Sequence, residues 1–102
     1  MNRALALARE YGVAVEFADL GDWGVDELRS EYDPAGPVIR INMRVAEQMT
    51  PEELGEFVVL CVGHELYHHR EHLGEIPRLE ERKERELAAN EFARRLLGLN
   101  LR

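Results

Sequence analysis

The chain has 102 residues, of which 45% are hydrophobic and 32% are charged, and this balance predicts one globular domain over residues 1–102. The formal net charge of -7 disfavours direct binding to nucleic acid, because phosphate backbones repel an acidic protein. The single cysteine, Cys61, excludes an internal disulfide, and no apolar stretch approaches the roughly 20 residues of a membrane-spanning helix. Since the N-terminal residues also lack the pattern of a signal peptide, we expect a soluble, cytoplasmic protein without a membrane partner.

The N-terminal part of the chain predicts a helix followed by a strand. Residues 2–11 place small and apolar side chains at helical spacing, and Gly12 follows as a natural stop. After Gly12, the side chains of Val13, Val15 and Phe17 alternate with less apolar neighbours, which is the period of a half-buried strand. The first two elements are therefore an amphipathic helix and a strand with one apolar face.

A loop and a β-hairpin are predicted next. The Gly- and Asp-rich residues 18–26 have no clear period and predict a loop anchored by Trp23. Apolar and polar residues alternate from Leu28 to Tyr32 and again over residues 37–42, and the intervening Asp-Pro-Ala-Gly sequence is typical of a turn. With the preceding strand, the hairpin predicts a small antiparallel sheet of about three strands in an α+β fold.

Two further helices are predicted from their start signals. Thr50 and Glu53 have the spacing of a capping box, and the helix that they begin should continue to Gly74. The first half of this helix is apolar almost all round, as expected of a helix inside a core. A second helix is expected to begin at Pro77 and to end at Gly98.

The central predicted helix contains the pattern of a metal site. His64 and His68 lie four residues apart, so on a helix of about 3.6 residues per turn both imidazoles can reach one ion. Glu65 lies about 100° round the helix from His64, where it can act as a general base beside the metal instead of binding it. A catalytic zinc needs three protein ligands and one open position, so a third ligand must come from elsewhere in the chain.

Two residues are candidates for the third ligand. His72 follows His68 on the same helical stripe, but one further turn carries it about 6 Å along the axis. Glu86 lies on the next predicted helix, which can fold back against the first across the connection between them. Ala89, one turn after Glu86, leaves room for two helices to approach closely. The spacing therefore favours Glu86.

Other polar residues near the pattern have simpler interpretations. Tyr67 is expected to pack, and the alternative is that its phenol donates a hydrogen bond to an oxyanion. His69 faces another side of the helix, where exposure or a surface hydrogen bond is expected. Cys61 is expected to fill the core, because a fourth protein ligand would abolish catalysis. The mixed charges of residues 78–85 favour a solvated helix face over a docking surface.

The segment HELYH followed by ELAANEFARRLL resembles the ImmA/IrrE family of gluzincin-type metallopeptidases, which pair HExxH with a downstream ExxANxFA pattern. The order of the predicted helices and strands follows the family over most of the chain. The resemblance implies a zincin-like fold in which Zn²⁺ is bound by His64, His68 and Glu86. It also implies that Glu65 is the catalytic base and that the chain is a minimal peptidase domain without a DNA-binding module.

The resemblance extends to residues around the ligands and also has departures. It implies that His72 and Asn90 support the metal site without binding the ion. The family usually has Gly at the position of Tyr67, often Glu at the position of Ala88, and Pro at the position of Gly98. These departures indicate a pocket of different shape.

The resemblance implies a metallopeptidase that makes a limited cut in a helix-turn-helix repressor or a similar cytoplasmic regulator. An extended substrate is expected to pair with the strand Val38, Ile39, Arg40 and Ile41, which precedes the central helix. The alternative is a non-hydrolytic, zinc-stabilised interaction module of the anti-repressor or antitoxin type. The presence of Glu65 argues against this alternative, because a purely structural zinc site does not need that side chain.

Overall fold

The computed structural model describes residues 2–21 and 29–100 of the chain. In chain order the elements are helix α1 (Arg3–Glu10), strands β1 (Ala14–Ala18), β2 (Ser30–Asp33) and β3 (Val38–Asn42), and helices α2 (Met43–Ala46), α3 (Pro51–Leu73) and α4 (Arg82–Asn100). The predicted α+β composition and the three strands are confirmed. The predicted loop anchor Trp23 and the predicted start of a strand at Leu28 lie outside the described residues.

The three strands form one mixed sheet in the order β1-β3-β2. Strand β3 pairs with β2 in antiparallel orientation, as expected of a hairpin, but it pairs with β1 in parallel orientation. The prediction of a wholly antiparallel sheet is therefore wrong. The alternation of side chains gives their period along a strand but not the strand direction, and β1 and β3 run the same way because β2 returns the chain between them.

The central strand β3 connects the sheet to the core. Ile39 and Ile41 are fully buried and belong to the main apolar cluster, together with residues of α1 and α3. Arg40, on the opposite face, makes ion pairs with carboxylates on both neighbouring strands. On the edge strand β1, by contrast, Phe17 is 49% exposed, so the predicted apolar face of this strand is not buried along its whole length.

Helix α3 begins and ends as predicted. The Thr50 hydroxyl accepts a hydrogen bond from the Glu53 backbone N–H at 3.2 Å, and the Glu53 carboxylate accepts one from the Thr50 N–H at 2.9 Å. Gly74 ends the helix in the left-handed region with a φ of 78°, where glycine has no Cβ to clash. Of the helices described, none is long and apolar enough to cross a bilayer.

Helix α4 differs from its predicted bounds at both ends. It begins at Arg82 instead of Pro77 and continues past Gly98 to Asn100. The Arg85 guanidinium donates hydrogen bonds to the carbonyl oxygens of Leu79 at 2.9 Å and Glu80 at 3.3 Å. These bonds hold the preceding segment against the first turn of α4, which is why the favourable position of Pro77 does not start the helix there.

Helices α3 and α4 pack closely through small residues. A Cβ added to Gly63 would lie 2.8 Å from the Cα of Ala93, which is closer than packed carbon atoms approach one another. Ala89 and Ala93 are buried at the same interface, as predicted for Ala89. This contact brings the beginning of α4, with Glu86 and Asn90, beside the middle of α3.

Candidate metal centre

The structure brings together the three residues predicted to bind a metal. The Nε2 atoms of His64 and His68 lie 3.3 Å apart, because residues four apart share one face of α3. The carboxylate of Glu86 lies 2.8 Å from Nε2 of His64 and 3.6 Å from Nε2 of His68. Two turns of one helix and one turn of another therefore direct three ligand atoms at a common point.

The hydrogen bonds of the two imidazoles fix the atoms that face this point. Asn90 Oδ1 lies 2.8 Å from Nδ1 of His64, and Glu71 Oε1 lies 2.8 Å from Nδ1 of His68. Both oxygens are acceptors, so both Nδ1 atoms carry a proton and donate it. In the neutral imidazoles the Nε2 atoms then present lone pairs to one another and to the Glu86 carboxylate.

Three electron-pair donors face one another at this point, and the donor set fits zinc. Zinc binds imidazole nitrogen and carboxylate oxygen at about 2.0–2.2 Å, so ligand atoms in a tetrahedral site are about 3.3–3.5 Å apart. The two Nε2 atoms of His64 and His68 match this spacing at 3.3 Å, whereas the 2.8 Å between Nε2 of His64 and the Glu86 carboxylate is shorter and would widen around a bound ion. Three protein ligands also leave one position open, as in catalytic zinc sites.

Glu65 stands beside the ligands in a buried position. Its side chain accepts a hydrogen bond from the Ser30 hydroxyl at 2.7 Å, and it offers a carboxylate oxygen within 4.8 Å of the nitrogen atoms of His64 and His68. Burial raises the pKa of Glu65 from its ordinary value, and the electrostatic interaction with His64 and the Ser30 hydrogen bond counteract only part of that rise. A raised pKa suits a carboxylate that takes up and releases protons near neutral pH.

A cleft of about 310 Å³ opens beside these residues. It is lined by Tyr32 of β2, by three side chains of α3 and by Glu86 of α4; the three of α3 are Glu65, His68 and Glu71. The segment before α4 and its first turn add Arg78, Arg82 and Arg85. The cleft has room for one or two side chains of a peptide next to the candidate base.

Sequence reasoning missed two residues that contact the site. Glu71 is 7% exposed, and its Oε2 is the one buried side-chain atom without a hydrogen-bond partner among the described residues. Its position three residues after His68 on a helix was a usable signal, because such residues are neighbours on one face. Ser30 gave no comparable signal, since it reaches Glu65 from a strand that is distant in sequence.

The remaining aromatic residues have mixed outcomes. The Tyr67 ring lies 6.2 Å from the Phe92 ring of α4, which agrees with the packing interpretation. His69 is 4% exposed, and its Nδ1 atom lies 2.6 Å from the Tyr32 hydroxyl oxygen. The prediction that His69 is exposed is therefore wrong, because the sheet covers this side of α3. His72 is exposed, with its ring 6.4 Å from that of Tyr32, and the structure does not bring it to the ligand pair.

Cys61 lies on α3 close to His64 but belongs to the core. It is 4% exposed, and burial raises the pKa of its thiol to about 12. A thiol that stays protonated at neutral pH is a poor metal ligand. Its position agrees with the prediction that Cys61 fills the core.

The predicted substrate strand does not fit the sheet. Val38, Ile39, Arg40 and Ile41 belong to β3, whose two sides are already paired with β1 and β2. A peptide can add to a sheet only at a free edge, so the prediction that it pairs with these residues is wrong. Of the described strands, β1 and β2 provide the edges, and β2 carries Ser30 beside the site.

In comparisons with protein-family models, with curated protein sequences and with solved structures, nothing matches this chain. The geometry of the site and the chemistry of its side chains therefore carry the functional interpretation. The likeness of the paired sequence motifs to the ImmA/IrrE family stays a prediction.

Proposed function

We propose that the protein is a zinc-dependent metallopeptidase with a zincin-like fold. In this proposal His64, His68 and Glu86 bind the zinc, and Glu65 is the general base. The observation that carries it is the convergence of two Nε2 lone pairs and one carboxylate, with both Nδ1 protons already directed at other acceptors. This is the arrangement of a site prepared for a cation with one open position.

The side chains around the site have separate tasks in peptide hydrolysis. Zinc held by His64, His68 and Glu86 would supply Lewis acidity to the scissile carbonyl and would lower the pKa of the attacking water. Glu65 takes the proton of that water and returns it to the leaving amine, and its burial keeps the proton affinity suitable for both steps. Ser30 orients the Glu65 carboxylate through its hydroxyl group.

We place the peptide along the free edge of β2. This strand carries Ser30, which contacts the candidate base, and Tyr32, which lines the cleft. An extended peptide that pairs with an edge strand presents its backbone in a fixed register. Such a peptide would pass the candidate base with its scissile bond in a defined position.

We propose a limited cut in a helix-turn-helix repressor or a similar regulator as the biological reaction. The likeness of the paired motifs to the ImmA/IrrE family motivates this choice, and the charge of the chain is compatible with it. A net charge of -7 favours approach to a basic DNA-binding protein over approach to DNA itself. An exposed, extended linker in such a protein is a suitable shape for an edge strand.

The test combines metal analysis with one substitution. Protein purified without added metal is expected to contain one zinc per chain, and Glu65→Gln should keep both zinc and fold while losing hydrolysis by a factor of about 10²–10⁴. The substrates are a helix-turn-helix repressor with an extended linker between its domains and casein as an unfolded control, with products mapped by mass spectrometry.

Each other outcome of this test has a defined meaning. Purified protein that holds no transition metal would refute the zinc site, and cleavage by Glu65→Gln at the wild-type rate would refute the role of Glu65. Degradation of casein at many sites with an intact repressor would indicate a general peptidase. Zinc binding with cleavage of neither substrate would instead favour the non-hydrolytic interaction module.

A further inference from the structure

The cleft beside the candidate metal centre contains an unusual concentration of arginine. Arg78, Arg82 and Arg85 line the same cleft as Glu65 and Glu86. The whole chain, by contrast, has a formal net charge of -7. The cleft is also lined by three carboxylates, those of Glu65, Glu71 and Glu86. The charge that a bound group meets there depends on which of these side chains are already paired, because screening confines the field of distant charges to about 8 Å at physiological salt.

The three arginines are not equivalent. The Arg85 guanidinium donates to the carbonyl oxygens of Leu79 and Glu80, so it holds the segment before α4 in place. Arg78 and Arg82 are exposed, and within the described residues neither guanidinium group makes an ion pair or a hydrogen bond. Two guanidinium groups with free donors therefore border the cleft.

The carboxylates of the cleft do not neutralise these two arginines. Glu65 accepts from Ser30, Glu71 accepts from His68, and Glu86 faces both imidazoles. A divalent ion and three guanidinium groups would outweigh these three carboxylates. An anionic group entering the cleft would find two planar arginine forks, each of which suits a carboxylate in a bidentate geometry.

We propose that Arg78 and Arg82 bind a carboxylate of the peptide substrate next to the scissile bond. The inference rests on the proposed peptidase function and names the chemical class that the cleft selects, namely peptides with Asp, Glu or a free C-terminal carboxylate at this position. The competing interpretation is that both arginines belong only to a solvated helix face.

The experiment measures binding to zinc-loaded protein with short peptide hydroxamates as probes. Each pair of probes differs only by Glu or Gln, placed in turn on either side of the hydroxamate, and a further pair differs by a free or an amidated C-terminus. The Glu and free-carboxylate probes are expected to bind about threefold to tenfold tighter than their neutral partners. This preference should shrink at high salt.

Two variants link the preference to the cleft. The double variant Arg78→Gln, Arg82→Gln should bind charged and neutral probes equally while it keeps its affinity for zinc and for the neutral hydroxamate. The control Arg94→Gln removes an exposed arginine of α4 that does not line the cleft, and it should keep the preference.

The outcomes separate this proposal from the function on which it rests. Equal affinity of wild-type protein for charged and neutral probes would overturn the carboxylate site and leave the metallopeptidase proposal intact. The carboxylate site would also be overturned by a preference that survives in the double variant, or by zinc-loaded protein that binds none of the probes. Protein that cannot be loaded with zinc would refute the metal centre and both proposals together. The relative affinities of the Glu and free-carboxylate probes show which source of carboxylate the cleft prefers.

Discussion

The orientation of the two imidazoles depends on the acceptors at their Nδ1 atoms. Glu71, as a carboxylate, accepts from His68 inside the protein, and Asn90 accepts from His64 at a more exposed position. A carboxylate partner fixes the tautomer and raises the basicity of the opposite nitrogen. The two ligands are therefore supported unequally, with the stronger partner at His68.

The Glu71→Gln substitution tests this support. The amide can still accept the hydrogen bond but lacks the charge that raises the basicity of His68, so zinc should bind about 10–100-fold more weakly. Competition with a chromophoric chelator measures the affinity. The control is Glu56→Gln, which changes an exposed carboxylate of the same helix. Equal zinc affinity in all three proteins would show that Glu71 does not act on the metal through His68.

A second residue-scale prediction concerns acid stability. The Tyr11 hydroxyl donates to the Glu75 carboxylate, and this hydrogen bond is the largest of the causes that lower the pKa of Glu75. A lowered carboxyl pKa contributes stability that is present above the unfolded pKa and is lost as pH falls through the folded pKa. The melting temperature of wild type should therefore exceed that of Glu75→Gln at pH 7, and the difference should vanish towards pH 3. Glu10→Gln, which changes an exposed carboxylate of α1, should not reproduce this pattern.

At the scale of the elements, the position of α4 depends on one glycine. A Cβ on Gly63 would meet the backbone of Ala93 at 2.8 Å, and a backbone atom cannot move aside as the end of a side chain can. Gly63→Ala must therefore shift α4, which carries Glu86 and Asn90. Overpacking of this kind costs about 1–3 kcal/mol, and zinc affinity should fall because the third ligand moves with the helix.

Gly55→Ala is the matched control for this substitution. Gly55 is an exposed residue of the same helix, and a Cβ there would have no atom within 4 Å. It should stabilise the protein by about 0.5–1 kcal/mol, since alanine loses less backbone entropy than glycine in a helix. Urea unfolding and zinc titration of both variants make the comparison. Wild-type zinc affinity in Gly63→Ala would mean that the helix contact does not position Glu86.

For the whole molecule, the metal would connect parts of the chain that are distant in sequence. The candidate ligands lie on α3 and α4, and β2 reaches the same site through Ser30. A ligand that binds only the folded state stabilises it, by about 2.7 kcal/mol at a concentration of 100 times its dissociation constant. Removal of zinc with a chelator should therefore lower the melting temperature of wild type. The same treatment should leave His64→Ala unchanged, and an equal drop in both proteins would indicate that the chelator acts elsewhere.

Charge acts on two length scales in this molecule. The net charge of -7 influences how a partner approaches, whereas Arg78 and Arg82 influence which residue of that partner enters the cleft. Because fields between exposed charges are screened over about 8 Å, the two effects need not have the same sign. A basic regulator with an acidic residue near the cut would satisfy both.

Features that depend on short-range patterns can be predicted from the sequence alone. The capping box at Thr50 and the helix end at Gly74 are two of them, because each involves residues within a few positions of one another. The shared face of His64 and His68 follows from the helical repeat in the same way. The choice of Glu86 over His72 also came from the sequence, because a straight helix carries a residue eight positions on too far along the axis.

Features that depend on which distant segments meet become visible only in the folded protein. Alternation could not give the direction of β1, so it could not show that β3 is central and closed to a substrate. The contact of Ser30 with Glu65 and the burial of His69 likewise depend on how the sheet packs on α3. The sequence predicts that the cleft arginines belong to a solvated helix face, because mixed charges along a helix do not show which other elements face them in the folded protein. Local periodicity fixes the faces of each element, whereas packing free energy summed over the whole chain decides which faces come together.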